Sequence, residues 1–92
     1  MSMRTVWAEG IQNLKREFSY LTDDQIDRGI LQAVEFVHAK TGVTLTPDAP
    51  ATLLAAGFNY LHMRYTNDAE MRQMLTHSIT MLISTHVGGS WR

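Results

Sequence analysis

Residues 67–87, NDAEMRQMLTHSITMLISTHV, decide the predicted fold of this 92-residue chain. They begin with Asn67 and, three positions later, Glu70, the spacing of a capping box whose side chains bond the first backbone N–H groups of a helix. Apolar residues then recur with a period near 3.6, which is typical of a helix, and a glycine pair predicts its end. We therefore predict a helix over 68–87 and a tail over 88–92.

The same period predicts three more helices earlier in the chain. One has a clear start and a clear end, because Thr22 and Gln25 form a capping box and Gly42 suits the left-handed residue that closes a helix. The next helix begins with two prolines, which fit a first turn. A short turn joins the last two helices into an αα-hairpin. The prediction is an all-α, single-domain bundle of four helices, over 4–18, 22–41, 47–66 and 68–87 of residues 1–92.

Charge is missing from the last two predicted helices, since 51–63 and 73–90 contain no Asp, Glu, Lys or Arg. In the last helix, apolar residues cover about 200° of the circumference at about 100° per residue, roughly twice what a one-sided surface helix needs. Such a helix is either central in its own bundle or covered on a second side by another chain. Because a chain this short has little interior, we expect a subunit contact.

Several residues are candidates for that contact. Met74 and Met81 have flexible apolar side chains suited to adaptable binding surfaces, although core filling would also explain them. His77 lies on the polar but uncharged face of the same helix. Arg64 falls inside an apolar arc, where it either reaches solvent from the last helical turn or pairs with an acid of a neighbouring subunit. The C-terminal pair Trp91-Arg92 is either a docking element or a disordered tail.

The residue patterns of catalysis and metal binding are absent from the sequence. There is no cysteine, and no two of the four histidines are three or four positions apart, as a helical metal pair requires. Aspartates cluster only where a helix needs capping, and neither a nucleophile motif nor a phosphate-binding glycine loop occurs. We therefore predict no catalytic residue, no metal, no cofactor and no enzymatic activity.

The net charge is −1, from eight Lys and Arg against nine Asp and Glu. A protein that holds DNA by its phosphates usually carries a basic patch, and no segment here is strongly basic. The N-terminus lacks the apolar stretch of a secretory signal, and the uncharged span 73–90 is too polar to cross a bilayer. We expect a soluble intracellular protein without membrane contact.

A further pattern covers residues 14–67. Its residues are Leu14-Lys15 and Phe18, then Asp23-Asp24, Ile26, Ile30, Ala33, Phe36-Val37 and Thr41-Gly42, then Pro50, Leu53, Ala56, Tyr60, Tyr65 and Asn67. In this arrangement the chain resembles the phage head–tail connector proteins, small helical adaptors also described as DNA-packaging proteins. It departs from that family in its longer first helix and after Asn67, where only Met81-Leu82 and Arg92 echo the family's closing Leu-Leu…Arg pattern.

The resemblance implies a structural protein of a tailed phage or prophage. Such a protein oligomerises as a ring at the portal exit and takes part in DNA packaging and capsid completion. Its partners are further copies of itself, the portal and the tail proteins, and DNA is only passing cargo, bound without sequence specificity. It is found in the host cytoplasm during assembly and then in the virion.

The alternative hypothesis is a small helical DNA-binding or regulatory module. Its recognition helix would have to be the first, with Gln12, Asn13, Lys15 and Arg16. For the assembly hypothesis, the predicted contact residues are Arg64, Met74, His77, Met81, Trp91 and Arg92.

Overall fold

The computed structural model describes residues 2–87 in full and the backbone of residues 88–90. Within this range the chain forms five helices and no strand: α1 Met3–Val6, α2 Ala8–Glu17, α3 Asp23–Thr41, α4 Ala51–Tyr65 and α5 Ala69–Ser90. The predicted all-α class is confirmed, with five helices in place of four. The last two helices pack closely against each other, as the predicted hairpin requires.

The single helix predicted over 4–18 is wrong, because α1 and α2 meet at a break. Trp7 leaves the helical conformation there (φ −100°, ψ 16°). Its indole is buried against α4, with its ring centroid 6.0 Å from that of Phe58 in an edge-to-face contact. Gly57 lies beside the same ring, and a Cβ atom at that position would come within 3.0 Å of the indole. The break therefore accompanies a tertiary contact, which helical periodicity alone does not reveal.

Helix α3 ends at Thr41 as predicted and begins one residue after the predicted start, because Thr22 is its N-cap. Thr22 Oγ1 accepts a hydrogen bond from Gln25 N at 3.2 Å, and Gln25 Oε1 accepts one from Thr22 N at 2.9 Å, so the capping box is complete. Gly42 ends the helix with a φ of +76°, a conformation that glycine adopts without a steric cost. Between these ends, the predicted core residues Ile26, Ala33 and Val37 are buried.

The predicted start of the third helix at residue 47 is wrong. Residues 46–50 form a turn, in which Ala49 N donates to Thr46 O at 3.0 Å, and α4 begins only at Ala51. Pro50 is the physical cause, because the residue before a proline is disfavoured in the helical conformation. The helix also ends one residue earlier than predicted, at Tyr65.

Both predicted ends of the last helix differ from the structure. The N-terminal cap is Asp68 and not Asn67, since the Asp68 carboxylate accepts bonds from Glu70 N at 2.9 Å and Met71 N at 3.2 Å. A carboxylate also suits the positive end of the helix dipole. At the other end, α5 continues through Gly88-Gly89 to Ser90 instead of stopping there. Glycine weakens a helix but does not break it.

The core lies between α4 and the three helices that precede it. Leu53, Ala56 and Leu61 of α4 are fully buried. The buried core cluster consists of Trp7, Ile11, Leu14, Leu21, Ile26, Ala33, Val37, Leu45, Leu53 and Leu61. Among the described residues, neither this cluster nor the partly buried residues packed on it include any from α5. The last helix is therefore an outer layer that packs mainly on α4.

Candidate functional site

Within residues 69–87, α5 is covered on one side by the other described residues. Ile79 is its one buried side chain within residues 69–87, at 4% exposure. Asn59 of α4 donates to Ser78 Oγ at 2.9 Å and so ties the two helices together at their middle. Partly buried apolar residues continue the contact on the same side, namely Met71, Leu75, Leu82 and Ile83. The helix is 22 residues and about 33 Å long, and between residues 73 and 85 its opposite side lies in solvent.

We call that opposite side the outer face. It consists of seven exposed residues, Gln73, Met74, His77, Thr80, Met81, Ser84 and Thr85. At about 100° per residue they fall within an arc of about 140°. Met74 is 64% exposed and Met81 is 54% exposed, and no residue from 73 to 85 is charged. Exposed methionines on a surface without charge are typical of a contact surface.

The threonine hydroxyls of the outer face already have partners. Thr80 Oγ1 donates to Thr76 O at 3.0 Å, and Thr85 Oγ1 donates to Met81 O at 2.9 Å. At the edge of the face, Thr76 Oγ1 donates to Arg72 O at 2.8 Å. A partner can therefore cover these residues without leaving their hydroxyls unpaired, which would otherwise oppose burial. From the sequence, these threonines are classed only as polar residues, although a threonine hydroxyl in a helix commonly donates to the carbonyl four residues earlier.

The predicted contact residues fall into three groups. Met74, His77 and Met81 come together on the outer face, all three exposed. Arg64 lies elsewhere, in the last turn of α4. Trp91-Arg92 lies outside the described residues.

Arg64 is exposed, which agrees with the alternative that its side chain reaches solvent from the last helical turn. It lines an open notch at the α4–α5 turn together with Met63 and Arg72. The cause is its position in the final helical turn, from which a long side chain reaches solvent. Arg72 donates to Thr66 O at 3.0 Å and so closes the turn between the two helices.

An ion-pair network lies at the start of α3, away from the outer face. Arg4 bonds Asp23 at 2.9 Å and Asp27 at 3.0 Å, and Lys15 bonds Asp23 at 2.5 Å. The pKa of the Asp23 carboxyl is lowered chiefly by the hydrogen bond from Lys15 and secondly by the hydrogen bond from Arg4. The pKa of the Arg4 guanidinium is raised chiefly by its hydrogen bond to Asp27 and secondly by its hydrogen bond to Asp23. The network connects α1 and α2 to α3 at the surface and engages Lys15, one of the residues that a DNA-reading first helix would need.

Among the described residues, the remaining features offer no second site of comparable extent. The depression along α5 is part of the outer face and not a separate site, since Gln73, His77 and Thr80 line it together with neighbouring residues of the same helix. Within residues 2–90, no three His, Asp or Glu side chains meet in a way that could hold a metal ion. None of the helices in the described range combines the length and hydropathy that a bilayer-spanning segment requires.

Comparison of the chain with protein-family models, with curated proteins and with solved structures finds no match. The role of the outer face is therefore inferred from the chemistry and geometry of this chain.

Proposed function

We propose that this chain is a structural assembly subunit that acts through contact with other copies of itself, and that it serves as a head–tail connector of a tailed phage or prophage. The outer face of α5 supports the assembly role. The sequence resemblance over residues 14–67 supports the connector role. In that role the subunits form a ring at the portal exit, contact portal and tail proteins, and take part in DNA packaging and capsid completion.

The outer face suits self-association because covering it is energetically favourable. Burying a methionine side chain completely contributes about 1.5–3 kcal/mol, so the partial burial of Met74 and Met81 in each copy contributes a few kcal/mol per contact. Two copies of an uncharged face do not repel each other. A strongly charged partner, by contrast, would lose hydration there without gaining an ion pair.

The charge distribution also suits a ring through which DNA passes. Such a ring should not hold phosphates tightly, and a net charge of −1 meets that condition. Arg4 and Lys15 are bonded to aspartates. The alternative DNA-binding role predicts binding to a duplex that weakens steeply with salt, and the absence of binding at low salt would exclude it.

Light scattering over a range of protein concentrations tests the assembly role. We expect the mass to rise above the 10.4 kDa of one chain at high concentration, or on mixing with the portal protein of the same genome. The variant M74K/M81K places two charges on the outer face and should return the mass to 10.4 kDa. The matched control is Leu31→Lys, because Leu31 is 60% exposed on α3 and not on the outer face.

Two results would contradict the proposal. One is a mass of one chain at every concentration, both alone and with the portal protein. The other is equal dissociation by L31K and M74K/M81K, which would show that added charge in general, and not the outer face, is responsible. The connector role is tested separately, since it predicts portal, capsid or terminase genes beside this one.

A further inference from the structure

We propose that Asp48 of one copy binds between Arg64 and Arg72 of the next copy, so that neighbouring subunits are joined head to tail. This inference rests on the proposed self-association and names an ion pair that orients it. The contact uses two different surfaces of the chain, the notch at the α4–α5 turn and the turn over residues 46–50.

The notch brings two unpaired positive charges together. Arg64 and Arg72 both line it and both are exposed, and among the described residues neither forms an ion pair. Arg4 and Lys15, by contrast, are bonded to aspartates within the chain. The guanidinium of Arg72 is also held in place, since it donates to Thr66 O at 3.0 Å. Two guanidinium groups that face one opening suit a carboxylate, whose oxygens accept hydrogen bonds from several N–H groups at once.

Acidic residues close to the notch in sequence favour a single carboxylate over the backbone of DNA. Asp68 caps α5 and Glu70 lies in its first turn, and both are exposed. A DNA strand would place successive phosphates near these carboxylates, which repel them. One carboxylate between the two arginines meets less repulsion, because it carries a single charge. We therefore expect the ligand to be an acidic side chain.

Most acids of this chain are either paired within it or lie at the same end of the molecule as the notch. The start of α3 is at that end, because Tyr65 in the last turn of α4 donates to Gln25 O at 2.7 Å. The acids in these two groups are Glu17, Asp23, Asp24, Asp27, Asp68 and Glu70.

Three exposed acids remain, Glu9, Glu35 and Asp48, and only Asp48 lies at the opposite end of α4. Glu9 and Glu35 lie beside the central part of that helix, because the residues that follow them in sequence pack on Phe58 and Tyr60. Asp48 comes just before α4, whereas the notch lies at its end. Since α4 has 15 residues and is about 22 Å long, one copy offers the carboxylate and the arginines at its two ends.

The turn that carries Asp48 is suited to insertion. Asp48 is exposed and, among the described residues, forms no ion pair. Pro47 and Pro50 each fix one φ angle of the turn. A carboxylate on a stiff turn loses little conformational freedom when it binds, so the ordering cost that cancels many surface ion pairs is small.

A contact of this kind is heterologous, because the notch of one copy meets a different surface of the next. Heterologous contacts form a closed ring when the rotation between neighbours permits it, and all copies in such a ring have the same orientation about its axis. The ion pair therefore agrees with a connector that has a portal side and a tail side, since no copy is inverted.

Charge exchange tests the pair. The variant D48R places an arginine opposite Arg64 and Arg72, and R64E/R72E places two carboxylates opposite Asp48. By light scattering, each variant alone should need an at least several-fold higher protein concentration than the wild type to assemble, because like charges meet at every contact. An equimolar mixture of the two variants should assemble as the wild type does, since opposite charges meet wherever the two chains alternate.

The mixture also controls for folding, because each chain in it keeps its own substitution and a restored assembly shows that both are folded. The matched control is E35R, which makes the same change of charge at an exposed position on α3 and should assemble like the wild type.

Three results would overturn the pair but leave self-association intact. They are wild-type assembly by D48R, equal weakening by E35R and D48R, and a mixture that assembles no better than its components. Wild-type assembly by R64E/R72E with loss of binding to a DNA duplex would assign the notch to phosphates and likewise overturn the pair. A mass of one chain at every concentration of the wild type, alone and with the portal protein, would overturn both the pair and the proposed self-association.

Discussion

Replacing Gly29 with alanine tests the close packing of α3 on α4. Gly29 is buried, and a Cβ atom at this position would lie 2.5 Å from Leu61 Cδ1 and also clash with the Tyr65 hydroxyl. That hydroxyl is held in place, because it donates to Gln25 O at 2.7 Å. The added methyl group must therefore displace a bonded phenol, shift a fully buried leucine or move the two helices apart.

The expected loss of stability follows from three contributions. Overpacking a filled contact costs about 1–3 kcal/mol. Losing the bond from Tyr65 to Gln25 costs about 1 kcal/mol. The higher helix propensity of alanine stabilises by about 1 kcal/mol. The free energy of unfolding of G29A should therefore fall by about 1–3 kcal/mol, which lowers Tm by roughly 5–20 °C for a domain of this size.

Urea unfolding followed by circular dichroism measures this change. We expect G29A to cost less in a Y65F background than in the wild type, because phenylalanine lacks the hydroxyl that the new methyl group would meet. Gln32→Ala is the matched control, since Gln32 is exposed on the same helix and should change stability by less than about 0.5 kcal/mol. Wild-type stability in G29A, or full additivity with Y65F, would refute the reasoning.

Three further predictions concern the ends and charges of the helices. Thr22→Ala removes the hydroxyl that caps α3 and should lower the free energy of unfolding by about 1 kcal/mol, measured in urea. Burial raises the pKa of the Tyr65 phenol above its ordinary 10.0. The stabilisation from its neutral form is therefore complete below pH 10 and is lost as the pH rises through the raised value. Y65F should remove this loss of stability at alkaline pH, measured in urea. The pKa of the Asp23 carboxyl is lowered from its ordinary 3.8. Its contribution to stability is therefore present above pH 3.8 and is lost as the pH falls through the lowered value. The difference in free energy of unfolding between wild type and D23N should shrink in acid.

Local signals in the sequence predicted α3 well because its ends are determined by neighbouring residues. The capping bonds of Thr22 and Gln25 span three positions, and the left-handed Gly42 follows from its missing side chain. The break at Trp7 depends instead on α4, which lies about fifty residues further along the chain. Asp68, next to the predicted cap Asn67, shows that adjacent capping residues cannot be ranked without the backbone geometry.

The candidate site was partly predictable for a similar reason. The absence of charge from residues 73–90 indicated a covered helix and identified Met74, His77 and Met81. Which side of the helix its own chain covers depends on the direction of α4, and the sequence does not contain that direction. The bonds that satisfy Thr80 and Thr85, which allow the outer face to be covered, likewise become visible only in the structure.

Oxidation of methionine tests the central claim, that copies of this chain cover each other's α5, most directly. Hydrogen peroxide oxidises exposed methionines, and trypsin releases both methionines of the outer face in the peptide 73–92. We predict that Met74 and Met81 oxidise several-fold more slowly at a concentration where light scattering shows assembly than in dilute solution. Met63, which lies on α4, should oxidise at the same rate in both. Equal rates for Met74 and Met81 at the two concentrations, in a sample that is assembled, would contradict the account.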